Sequence, residues 1–194
     1  MSFITESQLA SYRPRTKTFS KKDVVVLNES SSRDRTKPMV FLSHKHDELT
    51  LLQDVVAFLN EEGVEIYVDW MDEEMPAYTN AKTALRLKEK IKVANKFILV
   101  ATSNAIKSKW CNWELGLGDA AKYNEHIALF PINRTSQNFS GAEYLRIYPH
   151  IEFEDGSGKY SNGTTILKGY YVKTPLENGK FRLSQLKDWL KRKK

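Results

Sequence analysis

From residue 38 onward, short apolar runs alternate with stretches of helical periodicity, and few architectures accommodate that alternation. Residues 39–43 (MVFLS) have the length and composition of a strand. Leu49, Leu52, Val56 and Leu59 follow at helical spacing, and Gly63 supplies the residue on which a helix can end. Residues 64–68 (VEIYV) read as a second strand. Residues 69–78 (DWMDEEMPAY) are too acidic and too interrupted for either element and read as a loop. Ala84, Leu87, Ile91 and Ala94 share one face of a helix near 80–94, and 96–102 (KFILVAT) is an apolar run of the kind buried on both faces. Residues 108–122 read as helix and 127–132 (IALFPI) as a fourth strand. Strands separated by helices require a parallel sheet with right-handed crossovers and helices on both faces. The expected class is α/β.

The pattern loosens after Asn133. A fifth strand is expected within 146–154, a turn at 155–158, an apolar and aromatic segment at 169–174, and a closing helix near 184–193 carrying Leu186, Trp189 and Leu190. Residues 1–36 are polar apart from the island 24–27 (VVVL). They read as an N-terminal extension with one short docking element, ahead of a domain at 37–194.

The chain has 30 Lys+Arg against 24 Asp+Glu, a formal charge of +6. The excess sits at the two ends, +3 over residues 1–36 and +5 over 181–194, while 37–180 carries −2. A nucleic-acid partner is therefore not expected, because its basic stripe belongs on the folded face. A single Cys excludes an intrachain disulfide and points to a reducing, cytoplasmic setting. No apolar run approaches the roughly 18 residues of a membrane span.

Open parallel sheets bind ligands beyond the carboxyl ends of their strands. Three loops follow such ends: Ser43-His44-Lys45-His46, the loop beginning Asp69-Trp70, and residues 102–109 with Ser103. A basic group, two imidazoles and several hydroxyls suit an anionic, hydroxyl-rich ligand. Ser108 is placed to cap the helix that opens SKWCNWELG, and Trp110 and Glu114 stand four apart on one face of it. An indole beside a carboxylate suits cleavage at a sugar carbon, where positive charge develops. Taken alone, the pair reads more simply as a core anchor and a solvated helix carboxylate. His44-x-His46-Asp47 has metal-type donors, but no second cluster in the sequence completes a site, so no metal is expected. Gly116-x-Gly118 lies inside a helix and is no dinucleotide fingerprint. Cys111 has no neighbouring base in sequence and reads as an inert buried thiol.

VFLSHKHDE, the acidic loop after VEIYVD, FILVATSNAIKS and SKWCNWELG arrive in this order and at this spacing. Together, over about residues 38–134 and more loosely over 135–194, they resemble the Toll/interleukin receptor (TIR) domain. The likeness is to the stand-alone bacterial type with NAD+-cleaving activity, as in Thoeris-like antiviral defence. The resemblance implies a flavodoxin-like parallel sheet of five strands in the order 2-1-3-4-5. It implies a cytoplasmic enzyme with no cofactor that takes NAD+ as substrate and breaks the nicotinamide–ribose bond. The products would be ADP-ribose or a cyclic isomer that serves as a signal for a downstream effector. Glu114 matches the family's essential glutamate, four residues beyond a Trp. Ser43, His44, Lys45, His46, Asp69, Trp70, Ser103 and Trp110 are implied around the substrate. Self-association through TIR contacts is implied as well. The alternative is a non-catalytic interaction module using the same surfaces, and a remoter one is another glycosyl-transferring enzyme on a related fold.

Overall fold

The structure is a computed structural model that describes residues 1–13, 37–69, 80–133 and 143–192. In chain order the elements are β1 (Ile4–Thr5), α1 (Glu6–Ala10), β2 (Met39–Ser43), α2 (Leu49–Glu61), β3 (Glu65–Tyr67), α3 (Ala81–Val93), β4 (Lys96–Ala101), α4 (Ser103–Lys107), α5 (Lys109–His126), β5 (Ile127–Asn133), a 3-10 turn (Glu143–Ile147), β6 (His150–Glu154), β7 (Gly169–Pro175), β8 (Phe181–Gln185) and α6 (Leu186–Lys191). They form a mixed α/β fold around one sheet ordered β3-β2-β4-β5-β6-β7-β8, with β1 added against β5. Pairing is parallel from β3 through β6 and antiparallel for β6–β7 and β7–β8.

The expectation of five strands is corrected to eight among the described residues. β1 is two residues long and leaves no periodic trace in sequence. β8 was hidden because Leu183 fits the helical spacing of Leu186, Trp189 and Leu190, so the closing helix seemed to begin two residues early. Residues 181–185 instead pair with β7 as the edge strand of the sheet, and the helix is confined to Leu186–Lys191. Residues 103–107 form a short helix rather than loop, because the Thr102 hydroxyl caps it by accepting from the Ala105 amide at 3.0 Å.

The sheet is buried on both faces, as the apolar run of β4 requires. Ile98 and Val100 join Leu52, Val55, Val56, Leu59, Leu186 and Trp189 on one side. Phe97, Leu99 and Ala101 join Leu87, Ile91, Cys111 and Leu115 on the other. Each Val, Leu, Ile or Phe among them contributes about 1.5–3 kcal/mol by leaving water. Lys122 is fully buried, and its Nζ donates to the carbonyls of Lys92 (2.9 Å) and Ala94 at the end of α3.

The first 13 residues are part of this fold. Ile4 and Leu9 are fully buried, and Thr5 and Gln8 form a reciprocal capping box. Arg13 holds the buried Asp54 of α2 bidentately, at 2.7 and 2.6 Å. The docking element expected at 24–27 lies outside the described residues.

Glycines 116 and 118 both lie in α5 but answer to different constraints. A Cβ on Gly118 would meet the Phe97 ring at 2.8 Å, whereas one on Gly116 meets nothing within 4 Å. Gly118 is what lets α5 seat closely on β4. Gly118→Ala is expected to cost about 1–3 kcal/mol by overpacking. Gly116→Ala is expected to add roughly 0.5–1 kcal/mol from helix propensity. Thermal unfolding of the two variants checks both signs.

Candidate active site

β2 and β4 are hydrogen-bonded neighbours, so the loops after them stand side by side. Glu48 ties them together: Oε2 accepts from the Thr102 hydroxyl at 2.7 Å and Oε1 from the Asn104 amide at 3.1 Å. Sequence reasoning missed this clamp, since Glu48 reads as a helix-start residue and its side chain makes no cap on α2. Ser108 caps α5 as expected, accepting from the Cys111 amide at 3.3 Å.

Glu114 sits on the second turn of α5. It is 2% exposed, and Oε2 accepts a hydrogen bond from the Ser43 hydroxyl at 2.5 Å. The simpler reading of Glu114 as a solvated helix carboxylate is therefore corrected. Cys111, Leu115 and Gly118 form the buried face of α5, and Glu114 shares it at helical spacing. Burial, reinforced by the charge of Asp69, pushes the Glu114 carboxyl up to about 8, while hydrogen bonds from Ser43 and Trp110 and the charge of His46 act the other way. Trp110 is half-buried on the preceding turn and stacks on Trp113, with centroids 4.9 Å apart and planes 29° from parallel.

The first loop divides its side chains. His44 turns inward, with Nδ1 3.4 Å from the Leu42 carbonyl, and burial lowers it to about 4, a neutral imidazole. Lys45 is at the surface, 3.8 Å from Asp47. His46 meets Asp69 at 2.9 Å, and that hydrogen bond raises it. Asp69 lies two residues beyond β3, the strand paired with β2, which is how residues 23 apart in sequence come together. Ser43, His46, Asp69, Trp110 and Glu114 thus influence one another within one cluster, with His44 packed against His46. Ser103 is exposed on α4, and the hydroxyl engaged in the loop contact is that of its neighbour Thr102. Trp70 lies outside the described residues. The Cys111 thiol donates to the His44 carbonyl at 3.3 Å, and burial raises its pKa.

A cleft of about 770 Å³ opens on the other flank of the first loop, lined by Glu6, Asp47, Glu48 and Asp54 with Arg13 and Asn104 among others. Its lining sets four carboxylates against one guanidinium, which disfavours a polyanionic ligand there.

The sheet, parallel at its core, thus carries beside it a buried glutamate held by a hydroxyl from the first core strand and preceded by a tryptophan one turn earlier. The sequence profile described as TIR domain matches residues 40–165, more than half of the chain. The chain belongs to the TIR domain family. It is similar to "Probable 3' cyclic ADP-D-ribose synthase ThsB'" of Bacillus cereus (strain MSX-D12), at 27% identity over 116 residues, covering 58% of this chain and 59% of that protein. It is also similar to "Putative cyclic ADP-D-ribose synthase TIR2" of Cytobacillus dafuensis, at 25% identity over 79 residues, covering 39% of this chain and 21% of that protein. The chain thus spans about three fifths of the first relative's length and about one fifth of the second's. No helix among the described residues is long and apolar enough to cross a membrane.

Proposed function

We propose that the chain cleaves the nicotinamide–ribose bond of NAD+ and releases ADP-ribose or a cyclic isomer of it as a signal. The observation that carries this reading is the Ser43–Glu114 pair, a buried carboxyl oriented by a 2.5 Å hydrogen bond beside the half-buried Trp110. The names of the two relatives, both cyclic ADP-D-ribose synthases, support it and favour the cyclic product.

Nicotinamide is cationic in NAD+ and leaves neutral, so departure needs no strong general acid. What the reaction needs is an anion beside the ribose carbon as oxocarbenium character develops there. Glu114 supplies it. In the empty site burial favours the neutral carboxyl, and an arriving cationic nicotinamide ring favours ionisation. Ser43 holds Oε2 in place, and Trp110 offers a stacking face. Attack by another atom of the same molecule closes the ring, whereas attack by water gives linear ADP-ribose. Lys45 is assigned to the phosphates. Self-association, with a neighbour's loop completing the site, and a role in antiviral defence belong to the same proposal.

The burial of Glu114 is the observation that favours the other reading, a non-catalytic interaction module. Incubation of the protein with NAD+ over a wide concentration range, with chromatographic separation of nicotinamide, ADP-ribose and its cyclic isomers, separates the two. Nicotinamide with a cyclic partner, at a specific activity that rises with protein concentration, is expected. Intact NAD+ at every concentration, including in a protein forced to assemble, supports the module instead.

A further inference from the structure

The sequence offers His44-x-His46-Asp47 and no second cluster, but the fold brings a different carboxylate to the two imidazoles. One ring nitrogen of His44, one of His46 and a carboxylate oxygen of Asp69 lie within 4.8 Å of one another. His44 and His46 follow β2 and Asp69 follows β3, its hydrogen-bonded neighbour, so the sheet itself fixes the juxtaposition. Asp47 is occupied elsewhere, beside Lys45.

His44 points to a ligand. It is 4% exposed, its Nδ1 lies against the Leu42 carbonyl, and its Nε2 is buried without a hydrogen-bond partner among the described residues. A buried polar atom left unsatisfied costs about 1–3 kcal/mol. The arrangement is the one metal-binding histidines adopt: one nitrogen donates to a backbone carbonyl, which fixes the tautomer and leaves the other lone pair for the ion. We propose that His44, His46 and Asp69 bind a divalent transition-metal ion of the zinc class.

Two imidazoles and one carboxylate form a borderline donor set, which suits Zn2+ or Co2+ better than Mg2+ or Ca2+. Three protein ligands leave a coordination position for water or a ligand oxygen. Ligands about 2.05 Å from a tetrahedral centre are roughly 3.3 Å apart. The more exposed His46 side chain closes the remaining gap, and His46 and Asp69 exchange their mutual 2.9 Å bond for bonds to the ion. The inference does not rest on NAD+ cleavage. It adds a cation binding site next to Ser43, whose hydroxyl holds Glu114.

The test uses Co2+ alone, titrated into the chelator-treated full chain and followed by visible ligand-field absorption. A saturable band at one equivalent, displaced by Zn2+, is expected. His46→Ala and Asp69→Ala should each weaken Co2+ binding roughly tenfold or more, with unchanged circular dichroism, while His126→Ala keeps it. His46 is at the surface, so its variant stays informative even if a His44 variant fails to fold. Absence of a saturable band, or a band of undiminished affinity in both variants, overturns the proposal. Turnover is not read, so this result and the fate of the NAD+ reading are independent.

Discussion

Glu114→Gln is expected to lower the proposed NAD+ turnover by at least about a hundredfold while the chain stays folded. The carboxamide has the same shape and can still accept the Ser43 hydrogen bond that Oε2 accepts now. It cannot become an anion. The loss is therefore confined to the charge opposing the oxocarbenium ion, roughly 3 kcal/mol of transition-state stabilisation. The fall is expected in kcat, with KM changed far less, because Trp110 and Lys45, the residues proposed to meet the nicotinamide and the phosphates, are unchanged. Circular dichroism and thermal unfolding establish that the variant is folded. A folded variant that retains near-normal turnover removes Glu114 from the reaction.

The second large effect is on pH. With the Glu114 carboxyl raised to about 8, the ionised form needed for cleavage is scarce in the empty site below that value. The ratio kcat/KM, which reports the free enzyme, is expected to rise about tenfold per pH unit up to about 8 and then level off. Stability moves the opposite way. The folded value lies above the ordinary 4.5, so the native state holds its proton more tightly than the unfolded chain does. The stability this contributes is fully present below about 4.5 and is lost as pH rises through about 8. Glu114→Gln removes that component of the slope. A kcat/KM that is flat or falls between pH 6 and 8 contradicts the assignment, as does a Gln variant whose stability follows wild-type pH dependence.

Much of the scaffold is legible in the sequence because its signals are local. The helical spacing of Leu49, Leu52, Val56 and Leu59 and the unbroken apolar run of β4 declare themselves within a dozen residues. What was hidden depends on tertiary contact. The two-residue β1 is a strand only because β5 is there to pair with it. Leu183 fits both a strand and a helix, and only β7 decides between them. At the site, Ser43 and Glu114 were both legible as members, yet their contact and the burial of Glu114 were not. The one bond spans 71 positions and the other depends on how closely α5 seats over Phe97. Asp69 as the partner of His46 was illegible for the same reason, since β2–β3 pairing joins them.

The most direct test of NAD+ cleavage at this site is nicotinamide release, measured chromatographically at pH 8.5 with wild type and Glu114→Gln side by side and both tethered into assemblies. The account predicts nicotinamide in step with NAD+ loss for wild type and almost none for the variant. Equal release by both proteins, or none by either, contradicts it.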